Sequence, residues 1–190
     1  AAGCFFLVWM MAVAGGAADV PPPAAAYRGA DPVLLEMVRG RFKAATESGK
    51  TTGELVALMD GSLPADPAEW PAIFQAYRAS LEGLIGKHSL KPWEKYTRVK
   101  AGLARFHGLV EAHPESIEIR ALRYAFTSRL PGLFEVKPLA ELDLVALADL
   151  LERGADPTVT PAYCREVAEW TLRNGDPAPE QRRKRQAQIP

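Results

Sequence analysis

Six X-Pro pairs, each opening a segment of helical periodicity, constrain this chain more than any other feature. They are Asp31-Pro32, Asp66-Pro67, Lys91-Pro92, His113-Pro114, Lys137-Pro138 and Thr160-Pro161. Proline is tolerated in the first helical turn because its missing N–H would have no partner there, and a preceding Asp can cap the free N–H groups. Glycines such as Gly61 and Gly154 follow several of these segments and are typical of helix ends. The pattern therefore predicts a series of short, separately bounded helices.

Apolar residues spaced three and four apart support this interpretation. Thr51 with Glu54 adds one start without proline, through a capping box. No stretch alternates polar and apolar residues over the length of a strand. We expect an all-α fold in which the helices hide their apolar stripes by stacking as antiparallel pairs. The seven predicted helices span residues 31–47, 52–60, 67–87, 92–112, 114–129, 138–153 and 161–174.

The N-terminal residues have the pattern of a secretory signal peptide. An apolar run, Phe5 to Ala14, is followed by small residues up to Ala18. The run is shorter than the roughly 20 apolar residues that a membrane-spanning helix needs. We predict a signal peptide over residues 1–18 and a periplasmic or secreted protein of bacterial origin. A buried N-terminal helix is the alternative.

The remaining chain divides by composition. Residues 19–30 are rich in Pro and Ala, a composition that predicts a linker. We expect residues 31–176 to form the helical domain and residues 177–190 to form a basic, disordered tail. The tail contains Arg182, Arg183, Lys184 and Arg185. The chain as a whole has 23 basic and 23 acidic residues, and this balance argues against a general nucleic-acid binder.

The chain carries two resemblances to known protein families. Gly102, Phe106, Leu109 and Pro114 fall at the spacing of the second helix of a tetratricopeptide repeat. The segments Leu-Lys-Pro-Trp-Glu-Lys-Tyr at 90–96 and His-Pro-Glu-Ser-Ile-Glu-Ile-Arg-Ala-Leu-Arg at 113–123, with Leu-Pro-Gly-Leu-Phe at 130–134, resemble a family of uncharacterised exported bacterial proteins. Those proteins are similar to tetratricopeptide repeats.

The resemblance covers about residues 70 to 174. The family typically has an Asn-Pro-aromatic turn and an Asp-Pro-Asn turn, so this chain departs from it at Lys91 and His113. The resemblance implies a repeat-like helical fold and an exported protein. It implies no activity, and it transfers no catalytic residues.

Arg120 and Arg123 are the leading candidates for a binding site, because residues three apart share one face of a helix. Guanidinium groups in apolar surroundings are costly to desolvate unless they are paired. Two interpretations are open: a site for a carboxylate or phosphate, or internal ion pairs with Glu94, Glu111 or Glu118. The flanking apolar residues are Ile119, Leu122 and Phe126 on one side and Ile117, Ala121 and Tyr124 on the other.

Trp93 and Tyr96 lie in the first turn of the predicted fourth helix. There they would cap the groove predicted at Arg120 and Arg123. Packing inside the core is the alternative for both aromatic residues. Together with Arg120 and Arg123 they form the predicted ligand-binding set, for a peptide, a protein or a small anion.

No catalytic residue, metal site or cofactor is predicted. The spacing of His88, His107 and His113 does not match a metal motif, because a zinc site needs three or four convergent ligands. Cys164 lies in an apolar helical pattern, which predicts that its small side chain is buried.

Three functions remain open. The first is an exported interaction or scaffold protein with a peptide or protein partner. The second is a hydrolase or transferase whose residues converge only in the fold, which a pocket combining His113 with Glu94 or Glu118 would favour. The third is an envelope-associated structural protein that contacts the membrane through its signal segment or, weakly, its basic tail.

Overall fold

The computed structural model describes residues 23–154 and 156–174, and this part of the chain is all-α, as predicted. The predicted signal peptide and basic tail lie outside the described residues. Within them there are seven α-helices, three short 3-10 helices and no strand. The α-helices are α1 (Pro32–Glu47), α2 (Gly49–Ser62), α3 (Ala72–His88), α4 (Pro92–Ala112), α5 (Ile117–Thr127), α6 (Lys137–Arg153) and α7 (Pro161–Asn174); the 3-10 helices are η1 (Pro23–Tyr27), η2 (Pro67–Glu69) and η3 (Gly132–Phe134).

Several helix ends form for the reasons that the sequence suggested. Asp31 caps α1, and its Oδ1 accepts hydrogen bonds from the backbone N–H of Val33 at 2.8 Å and of Leu34 at 3.3 Å. Gly154 follows α6 with φ 58°, a left-handed conformation that glycine adopts without steric cost. Local residue chemistry is therefore sufficient to place these ends.

Three helix starts differ from the approximate predicted bounds, each for a local reason. The predicted helix 67–87 is divided into η2 and α3, because Pro71 disfavours the helical conformation at the residue before it. Helix α2 begins at Gly49 rather than at residue 52, since the hydroxyl of Ser48 accepts from the N–H of Thr51 and caps the helix earlier. Helix α5 begins three residues later than predicted, with Ser116 as its cap.

The segment predicted as a linker contains a folded turn. Its described part begins with η1, in which Ala26 is fully buried in the main hydrophobic core. Tyr27 packs against the same core, and its hydroxyl donates a hydrogen bond to Glu118, 91 residues further along the chain. The turn is thus packed against the helical domain through Ala26 and Tyr27.

Helices α3 and α4 run antiparallel and lie very close together. A Cβ atom built on Gly102 would lie 2.9 Å from the backbone oxygen of Ala79 and 2.8 Å from the ring of Phe126. A Cβ on Gly83 of α3 would lie 2.2 Å from the same ring. The two glycines therefore form a socket for Phe126, and α5 approaches α3 and α4 through this contact.

The core has two parts that meet at α5. Ile119 and Leu122 belong to the larger apolar cluster, formed with η1 and α1 to α4. Ile117, Ala121 and Tyr124 belong to the second cluster, formed with α6, α7 and Val159. This division matches the two apolar sides that the sequence predicted for this helix, so α5 joins the two halves of the fold.

The Gly102 contact gives a stability prediction. Gly102→Ala should lower the free energy of unfolding by about 1–3 kcal/mol, because the new methyl group overlaps Ala79 and Phe126. Gly108 is the matched control, since it lies on the same helix with open space around its Cα. Gly108→Ala should raise the free energy of unfolding by about 0.5–1 kcal/mol through helix propensity. Urea denaturation measures both, and equal effects of the two substitutions would contradict the close packing.

Candidate functional site

The two arginines of the predicted anion site share one buried carboxylate. Asp143 on α6 is fully buried. Its Oδ2 accepts a hydrogen bond from Arg123 Nε at 2.8 Å, and its Oδ1 accepts from Arg123 Nη2 at 2.6 Å and from Arg120 Nη1 at 3.1 Å. Arg120 also donates to the backbone oxygen of Pro114 through Nε and Nη2, at 3.3 and 2.9 Å. These contacts fix α5 against α6.

Of the two interpretations of these arginines, the structure has internal ion pairing. The partner is Asp143, whereas the sequence had pointed to Glu94, Glu111 or Glu118. Burial lowers the pKa of Arg120, and the nearby Asp143 carboxylate opposes this effect. Arg123 is 5% exposed, so an anion could reach it only by displacing Asp143. The arginines therefore stabilise the fold.

The stability role of Arg123 can be tested against a surface pair. Arg123→Ala leaves Asp143 buried without its main partner and should lower the free energy of unfolding by about 3–5 kcal/mol. The control is Arg153→Ala, which removes a pair with Glu115 in which the arginine side chain is 55% exposed, and should cost at most about 1 kcal/mol. Thermal or urea unfolding followed by circular dichroism measures the difference. A stably folded Arg123→Ala protein would contradict the structural role.

A second buried carboxylate, Glu118, is surrounded by donors from three other segments. Its Oε1 accepts from Arg39 Nε at 2.9 Å and from the Tyr77 hydroxyl at 2.6 Å. Its Oε2 accepts from Arg39 Nη2 at 2.5 Å and from the Tyr27 hydroxyl at 2.8 Å. Each oxygen thus receives one bond from the arginine and one from a tyrosine. The cluster joins η1, α1, α3 and α5.

The surroundings of Glu118 hold both tyrosines in their protonated form. Burial, followed by the charge of Glu118, raises the pKa of Tyr77 and of Tyr27 well above the usual value. Sequence analysis missed this cluster. One signal was present, because Glu118 lies four residues before the apolar Leu122 and so falls on the buried face of α5. Arg39 and the tyrosines gave no comparable signal, since only packing brings them together.

Glu118 and Glu36 both contact Arg39, and comparing them tests the effect of burial. Glu118→Ala leaves Arg39, Tyr27 and Tyr77 without their acceptor and should cost about 3–5 kcal/mol of unfolding free energy. Glu36→Ala removes a 2.6 Å pair whose glutamate side chain is 70% exposed, and should cost at most about 1 kcal/mol. Urea unfolding measures both, and similar costs would argue against the buried cluster.

The two aromatic residues of the predicted set lie on the surface. Trp93 is 68% exposed and Tyr96 is 51% exposed. They are three residues apart in the first turns of α4, on one face of the helix. Neither one packs into the core, and neither is close in sequence to the buried pair on α5. The two aromatic side chains are therefore exposed to solvent, whereas the two arginine side chains are largely buried.

Tyr96 connects α4 to a second exposed segment. Its ring stacks on Phe134 of η3, with ring centroids 5.5 Å apart and an interplanar angle of 22°. The neighbouring Leu133 is 68% exposed, and Leu90, in the turn before α4, is 97% exposed. We call these five residues the aromatic surface. They are Leu90, Trp93, Tyr96, Leu133 and Phe134.

Two of the three histidines line open grooves. His113 borders a groove of about 550 Å³ between the starts of α1 and α3, with Arg28 and Glu69. Its Nδ1 is buried without a hydrogen-bond partner among the described residues, and burial lowers its pKa. His88 borders a second groove of about 420 Å³ with Glu94.

Neither groove contains the combination of His113 with Glu94 or Glu118 that would favour the hydrolase or transferase hypothesis. Glu94 does not line the groove that holds His113, and it accepts a hydrogen bond from the Ser89 hydroxyl at 2.8 Å. Glu118 is enclosed by its own donors. Within residues 23–154 and 156–174, no three His, Cys, Asp or Glu side chains are grouped as metal ligands would be. None of the helices in these ranges is both long enough and apolar enough to cross a membrane.

Comparison of the chain with protein-family models, with curated proteins and with solved structures gave no match.

Proposed function

We propose that this protein is a helical interaction module that binds a segment of another protein through the aromatic surface. One observation carries the proposal: Tyr96 of α4 stacks on Phe134 of η3 among exposed apolar residues of the same two segments. Leu90, Trp93 and Leu133, which are near these rings in sequence, are each more than two-thirds exposed. Contiguous exposed apolar patches are characteristic of binding sites.

The residue types also suit this function. Tryptophan and tyrosine are enriched among the residues that dominate binding energy, because each offers a large rigid surface with a polar tip. Trp93 and Tyr96 come from one helix and Phe134 from η3, so a partner would contact two elements at once. The rigid backbone of α4 limits the entropy lost on binding.

Repeat-like stacking and export belong to the same proposal. The stacking is supported by which helices are in contact, since α3 packs on its neighbour α4 and also on α5, the helix after that. The socket of Gly83 and Gly102 supports it too, because small residues allow such close helix approach. Export is supported by the apolar run from Phe5 to Ala14 and by the family resemblance of residues 70–174.

Site-specific photo-crosslinking tests the proposal. A photoreactive amino acid at position 93 should capture one protein in cells of the source organism, and the same group at position 142 should not. Leu142 is the matched control because it is 64% exposed on α6. The captured protein is then purified and its affinity measured by calorimetry.

The measured affinity should depend on the aromatic side chains. Trp93→Ala with Tyr96→Ala should weaken binding about 30-fold or more, as expected when a residue dominating the interface is truncated. Leu142→Ala with Val145→Ala, which removes two exposed apolar side chains elsewhere, should leave the affinity unchanged. Equal affinities for the two double variants would place the binding site somewhere else and refute the proposal.

A further inference from the structure

One side of α6 exposes two apolar side chains among acidic residues. Leu142 is 64% exposed and Val145 is 43% exposed. We call this side the outer face of α6, and its exposed residues are Glu141, Leu142, Val145, Asp149 and Glu152. We propose that the outer face binds the basic segment of the same chain, residues 182–185. This contact is independent of the aromatic surface.

Helical spacing places the exposed residues of α6 together. Val145 lies four residues after Glu141 and seven before Glu152, and Asp149 lies seven after Leu142, so these positions share one side of the helix. The opposite side packs into the second apolar cluster, through Leu144, Leu147 and Leu151. The outer face is therefore turned toward solvent, with apolar and acidic side chains interleaved.

The outer face is negatively charged. It has three acids, and the bases of α6 are Lys137, one turn before Glu141, and Arg153, which lies 2.9 Å from Glu115 of the segment before α5. Helix α7 packs against α6 and does not change this balance, because its two bases are matched by two acids. These four residues are Arg165, Glu166, Glu169 and Arg173. A basic occupant is thus favoured.

The segment after α7 has the complementary composition. Residues 182–185 are four consecutive bases, and Ile189 follows four residues later. The bases complement the acids of the outer face, and Ile189 matches the apolar Leu142 and Val145. Glu152 also gains from a nearby cation, because it lies in the last turn of α6, where the helix dipole disfavours negative charge.

The chain is long enough to make this contact within one molecule. Helix α7 ends at Asn174, and residues 175–181 separate it from the bases. Seven residues span at most about 25 Å when extended. The outer face from Glu141 to Glu152 is about 16 Å long. Because α7 packs directly against α6, the segment begins beside the helix that it would bind.

Attachment to α7 favours the chain's own segment over a free basic peptide. A short tether gives an effective concentration in the millimolar range, which a separate peptide of equal affinity would have to match. An anionic membrane is a stronger competitor, because acidic lipids attract clusters of Lys and Arg. The outer face and an anionic membrane would therefore compete for residues 182–185.

Photo-crosslinking in the full chain tests the inference. A photoreactive amino acid at position 145 should link to residues 175–190 of the same molecule, as identified by mass spectrometry. Position 33 is the matched control, because Val33 is 66% exposed on α1. In a mixture of isotope-labelled and unlabelled protein, each linked product should carry one label. Products with both labels would mean that a second copy supplies the segment, and either this result or no link from position 145 would overturn the inference.

Limited proteolysis measures the contribution of the acids. Asp149→Asn with Glu152→Gln should raise the rate of tryptic cleavage at residues 182–185 about 2- to 30-fold, as expected when two ion pairs near a surface are lost. The control is Glu47→Gln with Glu54→Gln, which removes two exposed acids from α1 and α2 and should leave the rate unchanged. Equal rates for the two double variants would refute the contact.

Two further measurements do not depend on the folding of an α6 variant. Arg182→Gln with Arg183→Gln changes only residues after α7 and should lower the crosslinking yield from position 145. Raising the ionic strength from about 0.01 to 0.15 M should lower the yield as well, since the Debye length falls from about 30 to 8 Å. A yield that changes in neither experiment would show that charge does not hold the segment.

Vesicles containing phosphatidylserine test the predicted competition. Asp149→Asn with Glu152→Gln should bind them about 2- to 30-fold more tightly than Glu47→Gln with Glu54→Gln, because only the first pair of changes releases the bases. Both double variants have the same net charge, so general repulsion from the vesicle is matched. Equal affinities would mean that the outer face does not bind residues 182–185.

Discussion

The arrangement of this fold depends on three buried carboxylates that hold the short helix α5. Glu118, on α5 itself, is bound by donors from η1, α1 and α3. Asp143 reaches it from α6 through Arg120 and Arg123. Asp156 follows α6, and its Oδ2 accepts the N–H of Ile117 at 3.0 Å, which satisfies a free donor at the start of the helix. Through these three carboxylates, five segments are connected to α5: η1, α1, α3, α6 and the segment that follows α6.

These polar contacts explain how an amphipathic helix with two apolar sides adopts one orientation. Ile119 faces the larger cluster and Ile117 the smaller one. Phe126, also on α5, is seated against Gly83 and Gly102. Rotating α5 would leave Glu118 and Arg123 buried without partners, which costs several kcal/mol. The ion pairs and the seat of Phe126 therefore both specify the rotation of α5, and the apolar residues supply most of the favourable free energy of folding.

The proposed binding surface lies outside this network. Trp93, Leu90 and Tyr96 belong to neither apolar cluster, and Tyr96 stacks on Phe134. The domain thus contains two sets of residues. The buried charged residues bind each other and fix its shape, whereas the exposed residues of the aromatic surface are free to bind a partner without a change in the fold.

The sequence by itself determined the local structure, because proline starts, glycine ends and apolar spacing act within a few residues of each other. It predicted the all-α class, the ends of α1, α4 and α6, and the two apolar sides of α5. It also singled out Trp93, Tyr96, Arg120 and Arg123, but the spacing of residues within a helix did not distinguish a ligand site from an ion pair. Only the tertiary structure decided which carboxylate faces which cation. The register of α5 against α6 and η1 arises from packing between residues 20 to 91 positions apart, and no local pattern encodes that register.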